Sequence, residues 1–287
     1  MKLNKKTKLV FILVALFLIG LAVPSYSWTR KNVKEIETFY NSKLSPIIMI
    51  PGSSATENRF DGLVRKLNQD RRGTKHSLLK VKVWNNGRIT FEGKIKDKDN
   101  EPVIVIGFEN NKDGYSNIKK QAKMMNQAFE ALQNKYNFNN FKGLGHSNGG
   151  LIYTAFIENY LSDYDVKINS LMTIGTPYNF TETNIKNKSV MLADFIAAKE
   201  NIPSTLHVYS VAGTITYDSD ELVPDASVSA GKYIYQNQAK SYTEITVTGE
   251  DAQHSDLPTN DEVVELIKQH IEGQGVRKKQ KTNLEPQ

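Results

Sequence analysis

The sequence predicts an α/β domain: a mostly parallel central sheet, helices on both its faces and a small insertion beyond its middle. Three observations predict it. Short continuous apolar runs recur, as in Ile47–Ile50 and Val103–Phe108, and suit strands buried on both faces. Helix-like segments alternate with those runs, and neither a Pro/Gly/Ser-rich linker nor an internal repeat interrupts them. The third is Gly145-His146-Ser147-Asn148-Gly149, a G-x-S-x-G pattern between a strand-like and a helix-like segment. With 287 residues, 39% hydrophobic and 24% charged, the chain suits one large globular domain, expected over residues 45–272.

The elements follow in order. Lys2, Lys5, Lys6 and Lys8 precede Leu9–Val23, fifteen residues that are all apolar or glycine. Ser25 and Ser27 offer small residues at −3 and −1 of a cut before Trp28, so residues 1–27 have the layout of a signal peptide. The rival is an uncleaved anchor, since continuing through Tyr26 and Trp28 reaches the ~20 residues that cross a bilayer. Pro24 and the two serines favour cleavage. Either way the lysines stay inside and the body lies outside the cytoplasm, secreted or anchored to the membrane. A buried core helix would not carry this charge asymmetry at a chain end.

Residues 28–44 read as a polar, partly helical connector. After the strand Ile47–Ile50, Pro51-Gly52-Ser53-Ser54 turns the chain, and a helix is expected from Glu57 to about Asn68. Leu78–Trp84 and Arg88–Ile95 flank Asn85-Asn86-Gly87, a hairpin signal. A long helix spans Ser116–Tyr136, and Phe141–Leu144 and Leu151–Tyr160 form the strand and helix around Ser147. Ile168–Ile174 ends in Gly175-Thr176-Pro177. The insertion at 178–203 carries Leu192, Phe195 and Ile196 at helical spacing, either as a cap over the serine or as a surface helix packed on the sheet. Leu206–Ala212 and Thr243–Thr248 are the last strands, and an amphipathic helix follows.

The net charge of +6 is an end effect. Residues 1–27 contribute +4 and the segment from Arg277 onward +3, which leaves the body at −1. Nucleic-acid binding is therefore not expected, and residues 273–287 read as a basic, disordered tail. The absence of cysteine excludes disulfides, a thiol nucleophile, thiolate metal sites and a lipidated N-terminal cysteine.

The chemistry converges on Ser147. A serine on a sharp strand-to-helix turn exposes its hydroxyl, and the helix N-terminus behind it offers N–H groups to an oxyanion. Serine is a poor nucleophile at neutral pH. It needs an imidazole to take its proton and a carboxylate to fix that imidazole. Among five histidines, His254 alone lies in a loop after the last strand; His76 falls near the hairpin, His207 within a strand as a core candidate, and His270 on the last helix as a surface one. His146 and Phe195 are candidate substrate-lining residues, although His146 could equally be packed behind the turn. The acid comes from Asp218, Asp220, Glu221 and Asp225, which crowd one loop. The oxyanion donors are expected at the Asn148 N–H and in the turn after the first strand, at Ser53 or alternatively Ser54. No H-E-x-x-H, P-loop or G-x-G-x-x-G spacing is present, so neither metal nor cofactor is expected.

Gly-His-Ser-Asn-Gly-Gly at 145–150, Gly-Thr-Pro at 175–177, Asp-Glu-Leu-Val-Pro at 220–224 and Ala-Gln-His-Ser-Asp-Leu at 252–257 together resemble the α/β-hydrolase fold. More narrowly they resemble the DUF915 family, assigned as bacterial cell-surface hydrolases, over roughly Ser45–Glu272. The resemblance implies a triad of Ser147, Asp220 and His254, the aspartate marked by its distance from Val223-Pro224. The chain departs from the family's frequent His-Gly at Pro51-Gly52 and from its frequent Asp-Gly at Asp220-Glu221. The expected function is cleavage of a small or lipid-like carboxylic ester through an acyl-enzyme. A peptidase or amidase could use the same triad, and a surface binding module with little turnover is the rival from another class. The intact triad argues against the last.

Overall fold

The computed structural model describes residues 4–69, 71 and 73–273. The candidate tail lies outside the described residues from 274 onward, as do residues 1–3. The chain divides into two units, 1–42 and 43–287.

The first unit is a single helix, α1 (Lys5–Tyr40), with Asn4 as its side-chain cap and no buried residue. It is long and apolar enough to cross a membrane by length and composition. The helix continues through Pro24 and past Trp28, so most of the expected connector is helical and no break marks the candidate cut.

The second unit begins with β1 (Ile47–Ile50), α2 (Asp61–Gln69), the hairpin β2 (Leu78–Val83) and β3 (Ile89–Gly93), β4 (Val103–Phe108) and α3 (Tyr115–Tyr136). It continues with β5 (Asn140–His146), α4 (Asn148–Asn159), β6 (Lys167–Ile174), α5 (Val190–Ala198) and β7 (His207–Thr214). Short helices α6 (Asp225–Ser229) and α7 (Lys232–Tyr235), β8 (Ser241–Thr248) and α8 (Asp261–His270) complete it. The eight strands form one sheet in the order β3-β2-β4-β1-β5-β6-β7-β8, parallel except for the β2–β3 pair. Alternate residues of β1 and β4 enter different cores. Ile48, Ile50, Ile104 and Ile106 pack with α3 and α4, while Ile47, Met49, Val103 and Val105 pack with α2 and α8. This is why those strands read as unbroken apolar runs.

Helix α2 starts four residues later than expected. Backbone at Glu57 lies so close to Gly107 on β4 that a Cβ there would come within 2.7 Å of the Glu57 nitrogen. The chain therefore stays in turns until Phe60 is buried. His207 is half-buried rather than core, bonded through Nδ1 to Ser241 Oγ at 2.7 Å. His270 is half-buried against the Tyr209 ring, with centroids 4.3 Å apart.

One buried carboxyl matters for stability. Glu158, on α4, is 4% exposed, and its Oε1 has no hydrogen-bond partner. Burial raises its pKa from 4.5 to about 9, so the folded protein holds it neutral. Between those two values the folded state binds the proton and the unfolded state releases it. Stability from this site is therefore full below pH 4.5, falls as pH rises, and levels off above about 9. Glu158→Gln should flatten that slope and stabilise the protein at pH 8 by on the order of 2 kcal/mol. Denaturant midpoints at pH 5 and pH 8 check this, and an unchanged slope would refute it.

Candidate active site

The candidate residues gather where the parallel strands end at their carboxyl edge. Ser147 follows β5 with φ +55° and ψ −129°, a region that L residues enter only under constraint. The constraint comes from the next strand. Ser147 N–H donates to Ile174 O at 2.8 Å, and Thr176 Oγ1 donates to Ser147 O at 3.1 Å. Gly52 presses on the serine from the other side: a Cβ there would lie 2.7 Å from Ser147 Cβ.

Asp220 leaves β7 fully buried. Its Oδ1 accepts the N–H groups of Leu222 at 3.1 Å and Val223 at 2.7 Å, which holds the carboxylate in one orientation. Its Oδ2 faces His254 Nδ1 at 2.6 Å. His254 N–H also donates to Asp220 O at 3.0 Å, so the two loops are tied through backbone and side chain alike. The rivals stand outside this arrangement. Asp218 is exposed, its carbonyl accepting the Asp225 N–H, and Asp225 opens α6. Gly175, at φ +56°, makes room for the pair: a Cβ there would stand 3.0 Å from His254 Nδ1 and 3.1 Å from Asp220 Oδ2. Among the described residues no hydrogen bond joins Ser147 Oγ to His254, a contact that ligand-free sites often leave long.

The candidate oxyanion donors differ in whether their N–H groups are already used. Asn148 is the first residue of α4, where N–H groups have no intrahelical acceptor. Ser54 N–H is committed to Asn111 O at 2.8 Å, whereas Ser53 N–H has no acceptor among the described residues. Of the two alternatives the turn thus leaves Ser53 free to donate.

His146 is buried beside the serine turn, 4% exposed. Its Nε2 donates to His254 O at 2.9 Å, and its ring lies 4.9 Å from that of His254. Burial, then the neighbouring His254 and Arg59, hold its pKa well below 6.5, so it stays neutral. Arg59 bonds Ser255 O, and Asp113 Oδ1 accepts from the Asn148 side chain at 2.7 Å. Sequence reasoning missed Arg59 and Asp113. Neither lies in a motif, and only the close approach of distant loops reveals them. No group of three or more potential metal ligands forms among the described residues.

Phe195 lies on α5, which packs against α4. It is 3% exposed, and its ring meets that of Tyr115 edge-on at 6.1 Å. Asn179, fully buried, clasps the preceding loop by accepting the Ser189 N–H and donating to Asn187 O. This is the geometry of a packed helix. Phe195→Ala should accordingly destabilise the protein by ~3–5 kcal/mol while leaving the acyl-length profile of kcat/KM unchanged. A shifted profile at an unchanged melting midpoint would restore Phe195 as a substrate contact.

A family model described as alpha/beta hydrolase of unknown function (DUF915) matches residues 34–274. A crystal structure from Lactobacillus plantarum WCFS1, of a protein assigned as a cell surface hydrolase, shares 51% identity. It superposes with a TM-score of 0.73, covering 79% of this chain and 91% of its own. The product of the gene lin2722 from Listeria innocua shares 30% identity at a TM-score of 0.72, covering 78% of this chain and 92% of its own. No curated protein matches the sequence.

Proposed function

The chain belongs to the DUF915 family of alpha/beta hydrolases, and from that premise we propose that it is an extracytoplasmic serine hydrolase cleaving carboxylic esters. The observation that carries the proposal is the buried Asp220–His254 pair beside a serine held at positive φ. In this reading His254 takes the Ser147 proton as Oγ attacks the ester carbonyl. Asp220 keeps Nδ1 protonated and steadies the imidazolium. The Asn148 and Ser53 N–H groups receive the oxyanion, each contributing on the order of 3 kcal/mol to the transition state. The alcohol leaves with the proton from His254, and water then releases the acyl group by the same steps reversed. The substrate is a small or lipid-like ester, and α1 is a signal or anchor that puts the body outside the membrane.

A membrane-impermeant fluorophosphonate tests activation and location together. Added to intact cells, it should label the wild-type protein and leave Ser147→Ala unlabelled. Labelling only after lysis would keep the hydrolase and remove its location. A folded wild-type protein that resists the probe even in lysate would end the serine-hydrolase reading.

A further inference from the structure

The candidate triad leaves unused a cleft of about 630 Å³ bordered by the β2–β3 hairpin, the loop after β4 and α3. Trp84, Asn110, Asn117, Lys112, Lys120 and Lys123 line it. The three lysines are exposed, and none is paired with an acid among the described residues. Two further cations stand over the Trp84 ring, Arg88 at 4.4 Å and Lys82 at 4.9 Å from its centroid. Lys82 lies 3.7 Å from Glu57, whereas Glu109, the one acid on the cleft wall, accepts the Asn85 N–H at 2.6 Å. The body outside the charged chain ends carries −1. These five cations outnumber Glu57 and Glu109, so the cleft is locally positive although the body is not, and it attracts anions and repels cations.

The cleft shares a wall with the candidate oxyanion hole. Residues 109–113 leave β4 at the edge where Ser147 stands. Asn110 and Lys112 turn to the cleft. Asn111 O holds Ser54 N–H, and Asp113 Oδ1 holds the Asn148 side chain at 2.7 Å. Gln121, 2% exposed, stiffens this wall by donating to Asn110 O at 2.7 Å and Lys112 O at 3.0 Å. The 109–113 loop thus carries both cleft-lining residues and partners of the serine turn.

We infer that this cleft is an anion subsite of the same active site, taking a phosphate or carboxylate group that the ester substrate carries away from its scissile bond. The inference rests on the ester-hydrolase reading above. It narrows the substrate class from esters in general to anionic esters.

The test uses the full chain in nonionic detergent and three soluble acetyl esters: of glycerol, of glycerol phosphate and of glycerate. Wild-type kcat/KM should favour an anionic ester over the neutral one by about tenfold at low salt, and salt should erode that preference. The relative rates of the two anionic esters separate phosphate from carboxylate. The K112Q/K120Q/K123Q variant, and K120Q/K123Q in part, should lose the preference while keeping activity on acetylglycerol. Equal rates in the wild type, or a preference that survives in the triple variant, would overturn the subsite and leave the hydrolase intact. Should a folded wild-type protein hydrolyse none of the three and also resist the fluorophosphonate, the ester reading fails instead. Titration with glycerol 3-phosphate then decides the cleft alone: saturable binding lost in the triple variant supports it, and no binding overturns it.

Discussion

Ser147→Ala and His254→Ala should each lower kcat/KM by about 10⁴- to 10⁶-fold, and the double variant should be little worse than either. The three side chains act as one unit: without the serine there is nothing to deprotonate, and without the imidazole the hydroxyl stays a poor nucleophile. Both changes should leave the fold intact. The positive φ of Ser147 is imposed by bonds from its backbone to Ile174 and Thr176, which alanine retains. His254 is tied by its own N–H and carbonyl to Asp220 and His146. Ester turnover, checked beside the melting midpoint of each variant, tests this. A folded single variant with near-wild-type turnover would remove that residue from the chemistry.

Asp220→Asn should cut turnover by about 10⁴-fold with binding little changed. The size follows from how the carboxylate is held. Oδ1 accepts two backbone N–H groups and Oδ2 faces His254 Nδ1. An asparagine must turn its oxygen to the N–H pair, because its amino group there would set donor against donor. The amino group then faces Nδ1 and forces that nitrogen to accept, which moves the imidazole proton to Nε2. A histidine in that tautomer cannot take the serine proton. Asp218→Asn and Asp225→Asn, which leave the pair intact, should stay within a few-fold of wild type. A reversal, with either of these damaging and Asp220→Asn mild, would assign the acid elsewhere.

Much of this molecule is legible in the chain. The inner strands declare themselves because residues buried on both faces must all be apolar, and Ile47–Ile50 and Val103–Phe108 are. The hairpin is written in Asn86-Gly87, and the serine turn in glycines that allow close approach. Other features are not written locally. Phe195 sits at helical spacing whether it covers a substrate or a neighbouring helix, and only α5 packing against α4 distinguishes the two. His146 fits a pocket or a packed turn equally well in sequence, and its burial and its hydrogen bond to the His254 carbonyl appear only in the folded chain. Glu158 looks like any exposed helix acid in sequence, because its burial depends on segments far along the chain.

By itself the sequence determined the fold class, the serine turn and the one loop histidine suited to act as base, since each is a short-range pattern of periodicity or spacing. Only the tertiary structure brings Asp220, the acid that the resemblance implied, against that histidine, leaves Ser53 rather than Ser54 with a free N–H, and joins a cationic cleft to the serine turn through the 109–113 loop. The physical reason is common to all three. Aspartates a few residues apart, or adjacent serines, share one local pattern, and they become different only when a distant loop closes on one and not on the other.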